Sequence, residues 1–331
     1  MSNTKCKYSL FPISDQLSWD YYQKQKRCFW TIEEITQLDN DARDFQNNDK
    51  FSDEQRHFIL TVLAFFACAD AIVNEELFNH IINHPRWGQE ANAFYKAQMF
   101  IETVHNEAYN ILIETLCSSK PELAEKKHIY FNGVDSFPVI ANKKDWFQKS
   151  MERYSDRLGH MLFIQACVEG VHFSSSFACI FYFKKLNLLP GTVATNQFII
   201  RDEALHRDFA LLQLARLPVA GSGSADCQLT IEEAHNILKE AVDLELDFVG
   251  ECLQSHLLGI NSDTMKEYVK FVANDLMKSI QFPVLYPDAV NPFPWMESIS
   301  LQNKTNFFEH NATEYAMPVL QTDELSFDEV F

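Results

Sequence analysis

Residues 98–116, QMFIETVHNEAYNILIETL, decide how this chain is read. At 3.6 residues per turn, spacings of three and four put Glu102, His105 and Tyr109 on one helical face. That face sets a carboxylate, an imidazole and a phenol among Phe, Ile, Val and Leu. An ionised carboxylate buried without a partner is very costly, so something must compensate for it. A metal ion is one candidate, and a salt bridge within the core is another.

Working outward, the rest of the chain is also helical. Thr31 and Glu34 form a capping box that opens a first short helix after an irregular segment, residues 1–29. SDEQ at 52–55 opens a second helix, apolar on most sides, that continues to about Ile82. Pro85 breaks the chain before the 98–116 helix, and Pro121 starts a short helix. YFNGVDSF (130–137) reads as a loop. A helical pattern then runs from Lys143 to Lys185, with Gly159 and Gly170 as bend points, followed by helices over 193–215, 230–258 and 262–280. No stretch reads as a strand. The domain plan is therefore an irregular start, a helical domain over 30–300, and a tail over 301–331.

Composition narrows the function classes. Only 9 glycines in 331 residues argue against a Rossmann or β-rich architecture. The 8 cysteines contain no C-x-x-C pair, which suits a reducing cytoplasm better than a disulfide scaffold. No apolar leader opens the chain, and the apolar run 58–73 is interrupted by Asp70, short of the roughly 20 residues a membrane span needs. A net charge of −18 disfavours nucleic-acid binding, which needs basic patches. After Lys304 there is no Lys or Arg, while Glu314, Asp323, Glu324, Asp328 and Glu329 make the tail acidic.

Glu-x-x-His is a pair that helices use to hold iron or manganese. It occurs six times here, at Glu54/His57, Glu102/His105, Glu125/His128, Glu169/His172, Glu203/His206 and Glu232/His235. The three pairs at Glu54, Glu125 and Glu232 lie in polar surroundings near helix starts and read as solvated. The other three lie in apolar segments. Asp70 precedes Glu102 by 32 positions, and Glu169 precedes Glu203 by 34. Each half thus offers a lone acid on one helix and a Glu-x-x-His on the next. Packed face to face, the halves would present four carboxylates and two imidazoles, the donor set of a dinuclear site. His172 is left in the core or behind the ligands.

Several long motifs resemble the small, radical-generating subunit of class I ribonucleotide reductase, in its eukaryotic-type branch. They are FFACADAIVNEEL, IETVHNEAY, VEGVHFSSSFA, KKLNLLPG, RDEALH and NPFPWMESISLQNKTNFFE, spread over most of the chain. The resemblance implies an all-α, ferritin-like helical bundle that forms a homodimer in the cytoplasm. It implies Asp70, Glu102, His105, Glu169, Glu203 and His206 as ligands of two oxo-bridged iron ions assembled with O2, with manganese as the lesser alternative. Tyr109 falls on the radical tyrosine, and Phe173, Phe177 and Ile199 on the apolar pocket around it. Trp30, Asp202 and His105 resemble a hydrogen-bonded path to the surface, with Arg201 beside Asp202. Tyr315 resembles a relay tyrosine, and LSFDEVF, with Phe327 and Phe331 as anchors, a peptide that docks into the large subunit.

Two other classes on the same scaffold compete with this reading. A monooxygenase, desaturase or ligand-binding oxidase would need an apolar substrate channel and no docking tail, and the Tyr109 pocket and the Trp30/Asp202/Tyr315 set count against it. An iron-storage or purely structural bundle would need neither Tyr109 nor the tail. The chain has no glycine-rich phosphate loop, so substrate reduction is expected on another polypeptide.

Overall fold

In the computed structural model, residues 9–224, 226–253 and 260–296 are described. The chain divides into two compact units, Met1–Phe293 and Pro294–Phe331. Of the second, residues 294–296 are described and form a helical turn. Among the described residues there is no strand.

The first helix lies where none was expected. Residues 1–29 contain α1 (Gln16–Arg27), whose start is capped by Asp15 accepting from Ser18 N, and whose last turn carries Lys24, Lys26 and Arg27. Both end signals are present in the sequence, but the helix between them is too polar to show a clear apolar stripe. The Thr31/Glu34 box opens only a 3-10 turn, Ile32–Glu34. After it, Gln37 takes φ 68° and α2 (Leu38–Gln46) begins, an element the sequence reading did not separate.

The central helices follow the expected pattern more closely. Helix α3 (Asp53–Glu76) starts under a Ser52/Gln55 capping box and continues through a π turn, Leu77–Ile81. Helix α4 (Gln89–Ser118) carries the 98–116 stretch after its first nine residues. Residues 130–137 are not a loop. After α5 (Pro121–Ala124), the turns α6 (Lys127–Phe131) and α7 (Gly133–Ser136) continue the helical path. Gly133 is used here for close approach: a Cβ would meet Cys68 Sγ at 3.0 Å and Ala64 O at 3.1 Å on α3.

The expected long helix over 143–185 is three helices. Helix α8 (Pro138–Arg153) ends before Gly159, α9 (Leu158–Cys167) runs into a π turn at Val168–His172, and α10 (Ser174–Leu186) follows. Then come α11 (Pro190–Ala215), α12 (Ile231–Cys252) and α13 (Ser262–Ser279). The expected extension of α12 to 258 falls partly on residues 254–259, outside the described residues.

The core is built from α3 against α4 and from the α9–α10 run against α11, with α4 also touching α11. Helix α1 covers α4 and α11, and α12 packs on α8, α9 and α13. Two helical runs, Asp53–Ile81 and Leu158–Leu186, are long and apolar enough to cross a membrane. Their most apolar windows are 72% and 94% buried within the protein, the environment of core helices.

One buried side chain sets the start of α11. Asp41, fully buried on α2, accepts from Gly191 N at 2.7 Å, Thr192 N at 2.5 Å and Thr192 Oγ1 at 2.7 Å. It supplies from another helix the acceptor that the first turn of α11 lacks. Asp41→Ala should lower stability by about 2–3 kcal/mol, because three donors lose their partner. Thermal unfolding checks this; an unchanged midpoint would show that another group caps α11.

Candidate metal centre

Four helical runs each bring ligands to one place. Asp70 comes from α3, Glu102 and His105 from α4, Glu169 from the π turn after α9, and Glu203 and His206 from α11. Each faces the core because it lies on the apolar side of its helix, and all six are at most 4% exposed. They form two groups of donors, each within 4.8 Å: Asp70, Glu102, His105 and Glu203, and Glu102, Glu169, Glu203 and His206. Glu102 and Glu203 belong to both. Each group offers three carboxylates and one imidazole, and the residues that would hold two ions are these six, with hard oxygen donors suited to iron or manganese.

Unpartnered atoms test whether the residues fit metal. Both oxygens of Asp70, Glu102 Oε2, Glu169 Oε2, Glu203 Oε1, His105 Nδ1 and His206 Nε2 are buried without a hydrogen bond. His105 Nδ1 stands 3.0 Å from Glu203 Oε1 and 3.3 Å from Glu102 Oε2, without an aligned hydrogen bond to either. Buried polar atoms are rarely left this way, and a cluster of oxygen and nitrogen donors aimed at shared space fits divalent cations. The two donor groups fit a site for two metal ions.

The electrostatics without metal agree. Burial, then the Glu102 and Glu203 carboxylates, push Asp70 well above the usual carboxylate range. Burial and the same kind of repulsion, from Glu203 and Glu102, raise Glu169. Burial would also raise Glu203, but His105 and His206 beside it hold it below the ordinary value. Burial opposes charge on the imidazoles, yet His206 is pushed up to about 9 by Glu102 and Glu203. His105 rises too, through Asp202, Glu102 and Glu203. Without metal the cluster therefore holds protons that cation binding must displace.

Behind His105, Nε2 lies 3.2 Å from Asp202 Oδ2, which also accepts from Trp30 Nε1 at 2.8 Å. All three residues are buried, and the Trp30 ring stacks on His105 at 5.9 Å. Arg201 approaches Asp202 Oδ1 at 3.7 Å and also donates to Cys28 O. Tyr109 is fully buried one turn beyond His105, and its phenol donates to Asn196 Oδ1 at 2.8 Å. Burial first, then Asp70, Glu203 and Glu102, push the phenol well above its ordinary pKa, so it stays protonated. Phe66 lies parallel to the Tyr109 ring at 4.7 Å, and Phe173 and Phe177 pack on Phe66 at 5.4 and 4.7 Å. Ile199 is fully buried on α11.

His172 stands apart from both donor groups. Its Nε2 lies 3.1 Å from Ala241 O, and its ring packs on Trp146 at 5.1 Å. Of the pairs read as solvated, Glu54, Glu125 and Glu232 are exposed. Tyr315, Phe327 and Phe331 lie outside the described residues.

Sequence reasoning missed four contributors. Gln98 Nε2 reaches Glu169 Oε1 at 3.0 Å and Glu102 Oε1 at 3.4 Å, and Gln25 Nε2 reaches Asp202 at 3.4 Å. Asn196 and Phe66 line Tyr109. Gln98 was discoverable, being one turn before Glu102 on the same face; the others meet the site only through packing.

Comparison with known proteins agrees with this geometry. The family model for ribonucleotide reductase, small chain, matches residues 7–292. The ribonucleoside-diphosphate reductase small subunit of Nicotiana tabacum is 38% identical over 315 residues, 95% of this protein and 90% of that one. Subunit M2 of Danio rerio is 38% identical over 309 residues, covering 93% and 75%. Among solved structures, the Rnr4 homodimer of Saccharomyces cerevisiae superposes with a TM-score of 0.73 at 25% identity, over 94% of this protein and 90% of that one. With a match along nearly its whole length, the chain belongs to the ribonucleotide reductase small-chain family and is an oxidoreductase subunit of ribonucleoside-diphosphate reductase.

Proposed function

We propose that this subunit holds two iron ions, generates a stable radical on Tyr109, and supplies it to a large subunit that reduces ribonucleotides. The observation that carries the reading is the placement of Tyr109: a fully buried phenol one helical turn from a ligand imidazole, stacked on the Phe66 ring. Asp70, Glu102, His105, Glu169, Glu203 and His206 would hold the metal, and when bound it would use O2 to supply a one-electron oxidant. The same oxygen and imidazole donors suit manganese, which is the alternative ion.

The chain's own residues do the rest. Tyr109 gives up one electron and its phenolic proton. Asn196 orients that O–H but, as an amide, is too weak a base to keep the proton, so the buried carboxylates are the bases at hand. Phe66, with Phe173, Phe177 and Ile199, excludes water and reductants from the ring. Asp202 fixes the His105 ring by accepting at Nε2 and ties it to Trp30. That hydrogen-bonded path, with Arg201 balancing Asp202, would carry the oxidising equivalent outward, and Tyr315 would relay it at the subunit interface. The acidic end of the chain, with Phe327 and Phe331, would dock in the large subunit. The working assembly is a homodimer with that partner, in the cytoplasm.

Two measurements test this. Fe(II) loaded anaerobically and then exposed to O2 should give a tyrosyl signal near g ≈ 2 in electron paramagnetic resonance. Oxidised iron without a radical would move the chain to the oxidase class. Removing residues 321–331 should leave that signal intact and abolish turnover with the large subunit; full turnover would refute the docking role.

A further inference from the structure

The π turn that presents Glu169 is a departure from α geometry, and single π turns are rare and poorly self-supporting. Its far end is held from outside. Lys143 on α8 is 3% exposed, and its Nζ donates to the carbonyl of His172, the last residue of the turn, at 3.1 Å. Glu245 on α12 is fully buried, and its Oε1 accepts from Ser175 N at 3.2 Å. Ser175 stands in the first turn of α10, where an N–H lacks an intrahelical partner. The two side chains are ion-paired to each other. The ammonium also lies 3.8 Å from the Phe65 ring centre and 3.9 Å from that of Phe248. His172 adds a third tie to α12 through Ala241 O. Beside Lys143 there is a cavity of ≈ 20 Å³, bordered by Phe147, Val168 and Phe173, with room for one water.

A buried ion pair is a poor device for stability alone, since apolar replacements of similar volume are often neutral or better. Here each charge also holds a backbone group, one on either side of the junction between the π turn and α10. We propose that Lys143 and Glu245 are positioning residues: they staple this junction so that Glu169 is aimed at the metal site even before metal arrives. Neither touches a ligand side chain; both act through the backbone. The proposal rests on the dimetal reading of the cluster.

The test uses the full chain, with Mn(II) alone as the probe. In the double variant Lys143→Met/Glu245→Gln no buried charge is left unpaired, so folding should survive, as checked by circular dichroism. The wild type should bind two Mn(II), counted from the loss of the free-ion resonance signal. The double variant should keep one ion at wild-type affinity and bind the other about 10–100-fold more weakly, the usual cost of losing an outer partner of a metal ligand. Two ions at unchanged affinity, or equal loss of both, would overturn the proposal. Hydrogen exchange on the metal-free wild type needs no variant and no metal. The amides of 171–175 should be protected there, and free exchange would equally overturn the staple. A wild type that binds fewer than two ions would instead refute the dimetal reading, and the exchange result would still judge the staple.

Discussion

Tyr109→Phe should abolish both the radical signal and turnover while two metal ions still bind. The substitution removes one oxygen from a side chain that is fully buried and stacked on Phe66. The ring's packing is kept, and among the described residues the hydrogen bond lost is the one to Asn196 Oδ1. Losing that bond costs on the order of 1 kcal/mol, with Asn196 left a buried, unmatched acceptor. Folding should therefore survive. Phenylalanine cannot yield a stable neutral radical by losing a proton and an electron, so the chemical effect is all or none. Metal content and the resonance spectrum, measured on one sample, separate the outcomes. Loss of metal in the variant would make Tyr109 a structural support of the site.

The second large effect is expected at Glu203, because it is shared. Glu203→Ala removes a donor from both groups, whereas Asp70→Ala removes one from the first group only. Metal content should fall from two ions to near none in the first variant and to about one in the second, since each group keeps or loses its set of donors as a unit. Glu203 also compensates both imidazoles, lying 3.0 Å from His105 Nδ1 and 3.2 Å from His206 Nδ1. Its loss would leave two buried imidazoles facing fewer carboxylates and should lower their proton affinity as well. Equal metal loss in the two variants would show that the donors are not divided as the geometry divides them.

Much of this site could be read in the sequence because its donors are local patterns on helices. Glu102, His105 and Tyr109 share a face by the 3.6-residue period, and Glu203 and His206 do likewise. Their apolar neighbours marked them as buried, and the matched spacing of Asp70 and Glu169 suggested two halves. The six side chains do come together. Period alone could not have separated His172 from His206, since both follow a Glu by three positions in apolar helices. The π turn decides between them: the extra residue in that turn swings His172 toward Ala241 on α12.

The misread parts have the same origin. Helix α1 has clear end signals but a polar surface, so periodicity did not reveal it. Residues 130–137 looked like a loop because Asn132 and Gly133 are turn residues, yet Gly133 is there to let the chain lie against α3. Asp41 shows nothing locally of its role, for its partners Gly191 and Thr192 are 150 and 151 positions away.

By itself, then, the sequence determined the helical class, the face shared by Glu102, His105 and Tyr109, and the pairing of Glu203 with His206, because each follows from residue type and periodicity along one helix. Only the tertiary structure decided that Glu102 and Glu203 are shared, that Gln98 and Asn196 reach the site, and that Lys143 and Glu245 hold the turn carrying Glu169. Those facts depend on which helices face each other and at what rotation, and packing sets both across the whole chain.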